Sequence, residues 1–541
     1  MKRVFAVFLI FTLLFCSCGK PKEEEFVPTG KEFRITDVPF ESPYGPQSTD
    51  NHRVFYEIFV GSFSDSDGDG TGDLRGIIQR FDYLNNGNPK SGESLGIEGI
   101  WLSPINSSPS YHKYDVADYY SIDSEFGTMD DLKELVELAH SRNVKVIMDL
   151  VINHSSKENQ WFKDFCKAHR QKDTSDPMYD FYSYSSEPVK GKAFTKISSA
   201  DEYYECNFSG DMPELNYDNP KVYEEMVKVA KYYLEEIGVD GFRFDAAKYI
   251  YYGEVSPNVE FWKKYIAELK TVKPDMYAVA EVWDSDSVTD KYVEALNCFN
   301  FTMSQAEGQI STTAHKGNAY NYEKYVDSYL KNIEKINPEA MMIPFIVNHD
   351  MDRAAGFLQV SNGFAQVAAN LYILGPGSPF IYYGEEIGMK GSRGGANTDA
   401  NRRLAMLWGD EDKVSDPIGT TYENSKQSNG TVNDQLLLDY SIYNYYKKLI
   451  MMRKANPEIF LGDFNPVEIP DTKAGGFIST YEGNSVMVLH NTTPNTVTVD
   501  ISTLTDIEFT HINSSAGYNI DKPVMKGTNL TIPGQTSVII R

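Results

Sequence analysis

Apolar runs of strand length recur along the chain, and several of them end in acidic, amide or histidine side chains. The runs occupy residues 53–60, 96–104, 145–154, 241–249, 277–283, 342–350 and 378–384. Segments with helical spacing lie between them, such as residues 220–237, which end at Gly238. This alternation predicts an α/β fold with a parallel sheet, and polar groups at strand ends are typical of a TIM (β/α)8 barrel.

Arg243 and Asp245 lie two residues apart at the end of one predicted strand, so their side chains point to the same side. An arginine beside an aspartate lowers the pKa of the carboxyl group and keeps it ionised, as a nucleophile requires. Taken alone, the same pair is also typical of a structural ion pair. The polar residues at the ends of the other predicted strands therefore decide whether Arg243 and Asp245 form a structural ion pair or part of a catalytic site.

Four of these stretches resemble, in their order along the chain, the sequence regions of the α-amylase family of glycoside hydrolases (family 13). They are residues 145–154, 241–249, 277–283 and 342–350, and the resemblance extends over about residues 54–408. It implies that Asp245 is the catalytic nucleophile, Glu281 the general acid/base and Asp350 a stabiliser of the transition state. Such an enzyme retains configuration through a covalent intermediate, with carboxyl groups about 5–5.5 Å apart. Glu281 lies in an apolar run, where burial raises the pKa toward that of a working acid.

The resemblance also implies a set of substrate contacts. Tyr114 matches an aromatic platform beside the scissile bond, and the histidines match residues that bind sugar hydroxyl groups. The matching positions are Tyr114, Asp115, His154, Arg243, Lys248, His349, Asp399 and Arg403. The segment that holds Asp399 and Arg403 departs from the common family form, because Ala405 stands where proline usually precedes Met406.

The residues after the nucleophile bear on specificity. Ala246 and Lys248 resemble those of enzymes that cleave α-1,4 bonds, and a lysine contact on the leaving side suits substrates with several sugars there. We therefore expect an endo-acting hydrolase of starch and maltooligosaccharides, of the α-amylase type. Asp115 with Arg403 also resembles a pair that closes the pocket of exo-acting α-glucosidases, so exo-acting and neopullulanase-like enzymes remain alternatives.

A protein that only binds glycans at the cell surface is the alternative from another class. Such a protein would not need Asp245, Glu281 and Asp350 together. The complete trio therefore favours an enzyme.

An acidic loop follows the first predicted strand. Its predicted ligands are Asp65, Asp67, Asp69, Thr71 and Asp73, an oxygen-rich set of the kind that Ca²⁺ prefers. Gly76 stands where an EF-hand requires glutamate, so the loop is not an EF-hand. It resembles the calcium loop of oligo-1,6-glucosidase-like and neopullulanase-like members, which implies a structural ion; a merely solvated loop is the alternative. Asn153 and Glu214 form a candidate second calcium site.

The barrel is predicted to span residues 53–457, with two further units. Residues from about 154 to 212 lack a strand–helix rhythm and fit the family's inserted domain B. The following segment, residues 212–216, carries Glu214 where the family has aspartate, which resembles members intermediate between the oligo-1,6-glucosidase and neopullulanase groups. Short alternating runs over residues 458–541 predict a C-terminal β-sandwich.

The first 17 residues form a basic start and a short apolar run, which predicts a signal peptide. Ser17 before Cys18 resembles a bacterial lipoprotein processing site, with Cys18 as the lipidated residue and residues 18–52 as a tether. A lipid anchor predicts a protein outside the cytoplasm. The acidic run at residues 22–25 resembles signals that send some lipoproteins to the outer cell surface, so we expect the outer membrane, facing the surface. An ordinary secretory signal is the alternative.

The net charge of −26 argues against nucleic acid or an anionic membrane surface as a partner. The resemblance implies an α-glucan as the substrate, and the other expected partners are a membrane reached only through the lipid anchor and other surface proteins of glycan uptake. The chain has five cysteines, and a Cys166–Cys206 disulfide is one open possibility in an exported protein.

Overall fold

The structure is a computed structural model that describes residues 37–39, 52–409, 412–518 and 520–541. The predicted signal peptide, Cys18 and most of the tether lie outside the described residues. Within the described part, no helix is both long enough and apolar enough to cross a membrane.

The strands, in chain order, form five sheets. They are β1 (Phe55–Ile58), β2 (Gly99–Leu102), β3 (Asn106–Ser107), β4 (Asp118–Ile122), β5 (Lys145–Leu150), β6 (Tyr184–Ser185), β7 (Phe194–Lys196), β8 (Tyr203–Glu205), β9 (Gly241–Phe244), β10 (Tyr277–Ala280), β11 (Asn297–Cys298), β12 (Phe380–Tyr382), β13 (Asp463–Glu468), β14 (Gly475–Tyr481), β15 (Asn484–Asn491), β16 (Val497–Asp500), β17 (Ile512–Gly517), β18 (Val524–Lys526), β19 (Asn529–Ile532) and β20 (Thr536–Ile540).

The central sheet is parallel, in the order β11-β10-β9-β5-β2-β1-β12. Residues 342–346 close it, because Ile343 bridges Phe299 and Phe345 bridges Phe380, both in parallel. The run 342–350, which completes the eight strand positions of the barrel, was predicted as a strand but makes only these isolated bridges. Pro344 lies between the two bridging residues and has no N–H to donate, which explains the interruption. The result is the predicted (β/α)8 barrel.

The α-helices, in chain order, are α1 (Leu74–Gln79), α2 (Phe81–Leu84), α3 (Met129–Ser141), α4 (Gln160–Gln171), α5 (Pro220–Tyr232), α6 (Val255–Lys270), α7 (Asp286–Val293), α8 (Gln309–Lys316), α9 (Ala319–Ile336), α10 (Phe364–Ile373), α11 (Val432–Leu436), α12 (Ile442–Ala455) and α13 (Glu458–Leu461). Most α-helices alternate with the barrel strands along the chain and bury apolar side chains, whereas α4 belongs to the insertion and α13 contacts the C-terminal sheet. The helix predicted over residues 220–237 continues beyond α5 as a π-helical turn, and Gly238 ends it in the left-handed region.

Two additions flank the barrel. Between β5 and β9 the chain forms α4 and a small antiparallel sheet in the order β6-β8-β7, at the position of the predicted insertion. At the C terminus, a five-stranded sheet (β13-β14-β15-β20-β17) and a three-stranded sheet (β16-β19-β18) enclose a separate apolar core that includes Leu489, Leu530 and Val538. Cys166, Cys206 and Cys298 are free thiols, so the structure contains no Cys166–Cys206 disulfide.

Candidate active site

Arg243 is the centre of a buried cluster at the carboxyl ends of three neighbouring strands. Its Nη1 donates to Asp149 Oδ1 at 2.8 Å and to Asp245 Oδ1 at 2.6 Å, and its Nη2 donates to Glu281 Oε2 at 2.8 Å. The backbone N–H of Ala246 donates to the same Glu281 oxygen at 3.1 Å. Ala246 has a left-handed φ of 47°, which is unusual for a residue other than glycine and aims this N–H at the carboxylate.

His349 organises a second cluster that adjoins the first. Its Nδ1 lies 2.6 Å from Glu57 Oε1, and its Nε2 lies 2.7 Å from the Tyr114 hydroxyl group and 3.1 Å from Asp350 Oδ2. Arg403 Nη2 donates to the other Asp350 oxygen at 2.7 Å. Asp350 is therefore held from both sides by cationic groups.

The two clusters contain more carboxyl groups than cations, and this imbalance controls their ionisation. The cations are Arg243, His349 and Arg403; the acids are Glu57, Asp149, Asp245, Glu281 and Asp350. Burial raises the pKa of Glu281, and the neighbouring carboxylates raise it further against the opposing effect of Arg243. This agrees with the prediction from its apolar strand. Burial also raises the pKa of Asp149 to about 7.

The prediction for Asp245 needs correction. We expected Arg243 to lower the pKa of this carboxyl group, but burial outweighs the arginine and the pKa is raised. The physical reason is that one guanidinium is divided among three carboxylates. For Asp350, burial alone would raise the pKa, whereas His349 and Arg403 together hold it far below its usual range. Asp350 and Glu57 in turn raise the pKa of His349 to about 10, although burial opposes this.

The carboxyl groups of Asp245, Glu281 and Asp350 open into a cavity of about 850 Å³. The predicted site residues that line it are Tyr114, His154, Asp245, Lys248, Glu281, Asp350, Asp399 and Arg403. A larger cavity of about 1150 Å³ lies at the amino ends of the strands, beside Tyr277 and Met342, and none of the predicted site residues lines it. The predicted site residues are therefore concentrated at the carboxyl end of the barrel, as expected from the polar residues that end the predicted strands.

Three of the predicted contact residues do not line the catalytic cavity. Arg243 and His349 are fully buried beneath its floor and are occupied by the carboxylates described above. Asp115 is also buried, and it accepts hydrogen bonds from the hydroxyl groups of Ser108 and Ser110. Arg403 instead donates to the Tyr111 hydroxyl group at 3.1 Å. Asp115 and Arg403, whose resemblance to a pocket-closing pair kept exo action open, thus bind different partners, because the loop of serines holds the Asp115 carboxylate.

Several cavity residues were not found from the sequence. Phe208 and Trp283 are 45% and 39% exposed, which is high for large apolar side chains, and both line the cavity. Phe208 comes from the insertion and packs against the His154 ring at 5.1 Å. Tyr111, His112, Gln305 and Arg402 also line it. Trp283 ends the run 277–283 and Arg402 adjoins the predicted Arg403, but the sequence pattern did not show that these side chains reach the cavity, because only the fold decides the path of their segments.

Asp399 belongs to a network of ion pairs on the cavity rim. It lies 2.9 Å from both Arg393 and Arg402, and Arg402 also binds Asp352 at 2.8 Å. On the opposite wall, Lys248 Nζ donates to the Trp283 carbonyl at 2.7 Å and to Asp284 at 3.1 Å. Both predicted substrate contacts are thus in place at the cavity but already hydrogen-bonded to protein.

The acidic loop after β1 brings together three of its five predicted ligands. Asp65, Asp67 and Asp73 place one carboxylate oxygen each within 4.8 Å of one another. Asp69 lies outside this group and accepts a hydrogen bond from the Thr71 N–H at 2.7 Å. Three converging carboxylates fit a hard oxygen-seeking cation such as Ca²⁺.

The candidate second calcium residues are in direct contact. Asn153 Nδ2 donates to Glu214 Oε2 at 2.6 Å, and burial raises the pKa of Glu214 to about 8. Asn153 Oδ1 is buried and has no hydrogen-bond partner among the described residues. The pair therefore offers one oxygen atom, Asn153 Oδ1, that is free to bind a cation. The second calcium site stays a prediction.

Comparison with known proteins gives concordant results. The profile of the alpha-amylase catalytic domain matches residues 57–462. Alpha-amylase 3 of Dictyoglomus thermophilum is 37% identical over 81% of this chain and 84% of its own length. Oligo-1,6-glucosidase of Bacillus cereus is 30% identical over 81% of this chain and 90% of its own. The crystal structure of alpha-amylase from H. orenii covers 91% of this chain and 99% of its own, at 33% identity and a TM-score of 0.79.

Proposed function

This chain belongs to the α-amylase family and is a glycoside hydrolase, and we propose that it is a retaining, endo-acting hydrolase of α-1,4 bonds in starch and maltooligosaccharides. The observation that carries the proposal is the Arg243 guanidinium, which holds Asp245 and Glu281 together at the floor of the cavity. Glycoside cleavage with retention requires two such neighbouring carboxyl groups.

Asp245 attacks the anomeric carbon and forms a glycosyl ester, while Glu281 gives its proton to the departing glycosidic oxygen. Glu281, now a carboxylate, then takes a proton from water, and the water oxygen displaces the ester oxygen of Asp245. The raised pKa of Glu281 supports its role as the acid. The 2.6 Å bond from Arg243 supports Asp245 as the carboxylate that attacks.

Asp350 completes the site from the other side. Because His349 and Arg403 keep it ionised, its negative charge is available to stabilise the positive charge that develops on the sugar ring. His349 acts through Asp350 and Tyr114, and we assign it a positioning role rather than the direct substrate contact that its motif implied.

Endo action has one argument from sequence and one from structure. Ala246 and Lys248 resemble those of enzymes that cleave α-1,4 bonds, and Lys248 lies at the cavity wall. Asp115 and Arg403, which resemble the pocket-closing pair of exo-acting enzymes, are not hydrogen-bonded to each other here, since Asp115 is bound by Ser108 and Arg403 by Tyr111. The similarity to an oligo-1,6-glucosidase keeps an exo-acting or neopullulanase-like enzyme as the second candidate.

The experiment is incubation with amylose, pullulan and maltose, followed by sizing of the early products. We expect a spread of maltooligosaccharides from amylose. Glucose alone from the first minutes would favour the exo-acting α-glucosidase, and panose from pullulan would favour the neopullulanase-like enzyme. No cleavage of any substrate, with retained binding, would favour a glycan-binding protein.

We further propose that Asp65, Asp67 and Asp73 hold a structural Ca²⁺, with Asp69 and Thr71 at the edge of that site. The ion would brace the loop between β1 and α1, because Asp73 also accepts a hydrogen bond from the Gly76 N–H at the start of α1. It supplies no catalytic water in this scheme, since the two carboxylates perform the proton transfers.

The proposed location is the outer membrane, with Cys18 lipidated and the enzyme facing the surface, near other proteins of glycan uptake. The support is the signal peptide and the Ser17–Cys18 junction. Labelled fatty acid should enter the wild type and be absent from Cys18→Ser. Release of unlabelled wild-type protein into the medium would contradict the proposal.

A further inference from the structure

A second cavity of about 770 Å³ adjoins the catalytic cavity. The two cavities share Gln305 and Arg402 as lining residues, so they meet at these side chains. No residue of the inserted segment between β5 and β9 lines the second cavity. It is formed instead by Gln305 and Ala306, residues 352–359, residues 390–392, Arg402, Tyr422 and Lys426. The cleft therefore continues past the reacting groups, on the side away from the insertion.

Gln305 has an unusual backbone conformation at this junction. Its φ is 67°, in the left-handed region that residues other than glycine and asparagine rarely adopt. The surrounding chain holds it there, because the Gln305 N–H donates to the Ile346 carbonyl at 2.8 Å and the Gly308 N–H donates to the Gln305 carbonyl at 3.3 Å. Backbone strain that the fold maintains in this way is characteristic of functional positions.

The side chain of Gln305 is available for a ligand. It is half-buried, and its amide group has no hydrogen-bond partner among the described residues. An amide offers both a donor and an acceptor, and it is neutral, which suits the paired hydroxyl groups of a sugar. Ile346 lies four residues before Asp350, so the same strand segment positions Gln305 relative to the catalytic groups.

Asp352 and several cationic side chains also line the second cavity, and some of these cations already have partners. Arg402 is paired with Asp352 at 2.8 Å and with Asp399 at 2.9 Å, and Lys390 donates to the Ser428 hydroxyl group at 2.7 Å. Tyr422 supplies a half-buried aromatic side chain, of the kind against which an apolar sugar face packs.

We propose that Gln305 binds substrate and that the second cavity is an additional subsite for a glucosyl unit of the same α-glucan. This inference rests on the proposed function. Gln305 binds hydroxyl groups where the two cavities meet, and Tyr422 packs against the next unit. A chain long enough to reach this subsite binds more tightly than a short one.

The test compares kcat/KM for maltoheptaose and maltotriose in matched variants. Gln305→Gly removes the amide and accepts the left-handed φ, whereas Gln305→Asn retains an amide that also tolerates it. Tyr422→Ala removes the ring in the second cavity only, and Tyr422→Phe keeps it. We expect Gln305→Gly and Tyr422→Ala each to lower kcat/KM for maltoheptaose about tenfold, from the loss of about one or two hydrogen bonds or a packed ring. Maltotriose should be affected much less, and Gln305→Asn and Tyr422→Phe should recover most of the loss.

Equal losses for both substrates, or no loss for maltoheptaose, would overturn the inference. Titration of maltoheptaose into Glu281→Gln, with and without Gln305→Gly, measures the same preference without turnover. A wild type that cleaves neither substrate contradicts the proposed function, whereas the titration still decides whether the second cavity binds a glucan.

Discussion

The protein has two groups of converging carboxylates, and their surroundings differ sharply. Asp245 and Glu281 lie at the floor of a cavity, bound to the buried Arg243 guanidinium. Asp65 and Asp67 lie on a loop, where Asp65 is half-exposed and Asp67 exposed, and they accept hydrogen bonds from backbone N–H groups such as that of Gly68. The buried group carries its cations within the fold, whereas the surface group can take a cation from solution.

This difference distinguishes carboxyl groups that act in catalysis from carboxyl groups that we propose to hold a structural ion. Burial makes an uncompensated charge costly, so the carboxyl groups that share the Arg243 guanidinium have raised pKa values. Asp65 and Asp67 are reached by solvent, so a cation from solution can reach their carboxylate oxygens. Five experiments test or sharpen this contrast.

The largest effect is expected at the buried pair. Asp245→Asn and Glu281→Gln should each lower kcat by at least about 10²–10⁴-fold, because each removes a group that forms or protonates a bond. Asp67→Asn, the matched change in the loop, should leave kcat unchanged in saturating calcium. Circular dichroism checks folding of all three, and near-normal turnover by either buried-site variant would contradict the assignment.

Loss of the central guanidinium should destabilise the fold. Arg243→Met leaves three buried carboxyl groups without their shared cation, and we expect a loss of about 3–5 kcal/mol in the free energy of unfolding. Arg393→Met removes a surface partner of Asp399 and should cost less than about 1 kcal/mol. Urea unfolding measures both, and equal losses would mean that Arg243 is no more important than a rim residue.

The pH dependence of stability should be dominated by the second cluster. The pKa of His349 is raised to about 10, so its contribution is fully present below about pH 6.5 and is lost as the pH rises toward 10. The pKa of Asp350 is depressed, so its contribution is present above about pH 4 and is lost as the pH falls. His349→Gln should flatten the alkaline limb of a plot of Tm against pH. An unchanged limb would show that His349 is not the titrating group.

The dependence of kcat/KM on pH gives an independent measurement of the pKa values of Asp245 and Glu281. The acid limb of kcat/KM should lie above the usual range of an aspartate, because burial raises the pKa of Asp245. The alkaline limb should follow loss of the Glu281 proton, displaced upward for the same reason. Both limbs at the pKa values of free carboxylic acids would contradict a desolvated site.

The smallest effect is expected from calcium. Binding to the native state alone adds about 2.7 kcal/mol when the free ion is at 100 times its Kd, so Tm should rise on addition of calcium. Asp67→Ala with Asp69→Ala should remove most of this rise. A chelator-treated wild type that melts at the same temperature with and without calcium would mean that the loop is only solvated.

Much of the fold and the reacting groups could be predicted from the sequence. The apolar runs place Asp245, Glu281 and Asp350 after strands of one parallel barrel, and such a barrel brings the carboxyl ends of its strands to one edge. The predictions that failed concern the paths of loops and the pKa values that result from several competing interactions. Asp115 follows Tyr114 directly, yet the Ser108–Ser110 turn directs it into the protein, and no local spacing reveals this.

The sequence alone determined most of the barrel strands, the polar groups that end them and the family they resemble, because these features depend on residues close together in the chain. Only the tertiary structure decided that Arg243 serves three carboxylates, that Arg403 faces Tyr111 rather than Asp115, and that Gln305 joins two cavities. These contacts connect segments far apart in sequence. Burial, which sets the pKa values of the site, is likewise a property of the whole packed barrel rather than of any single segment.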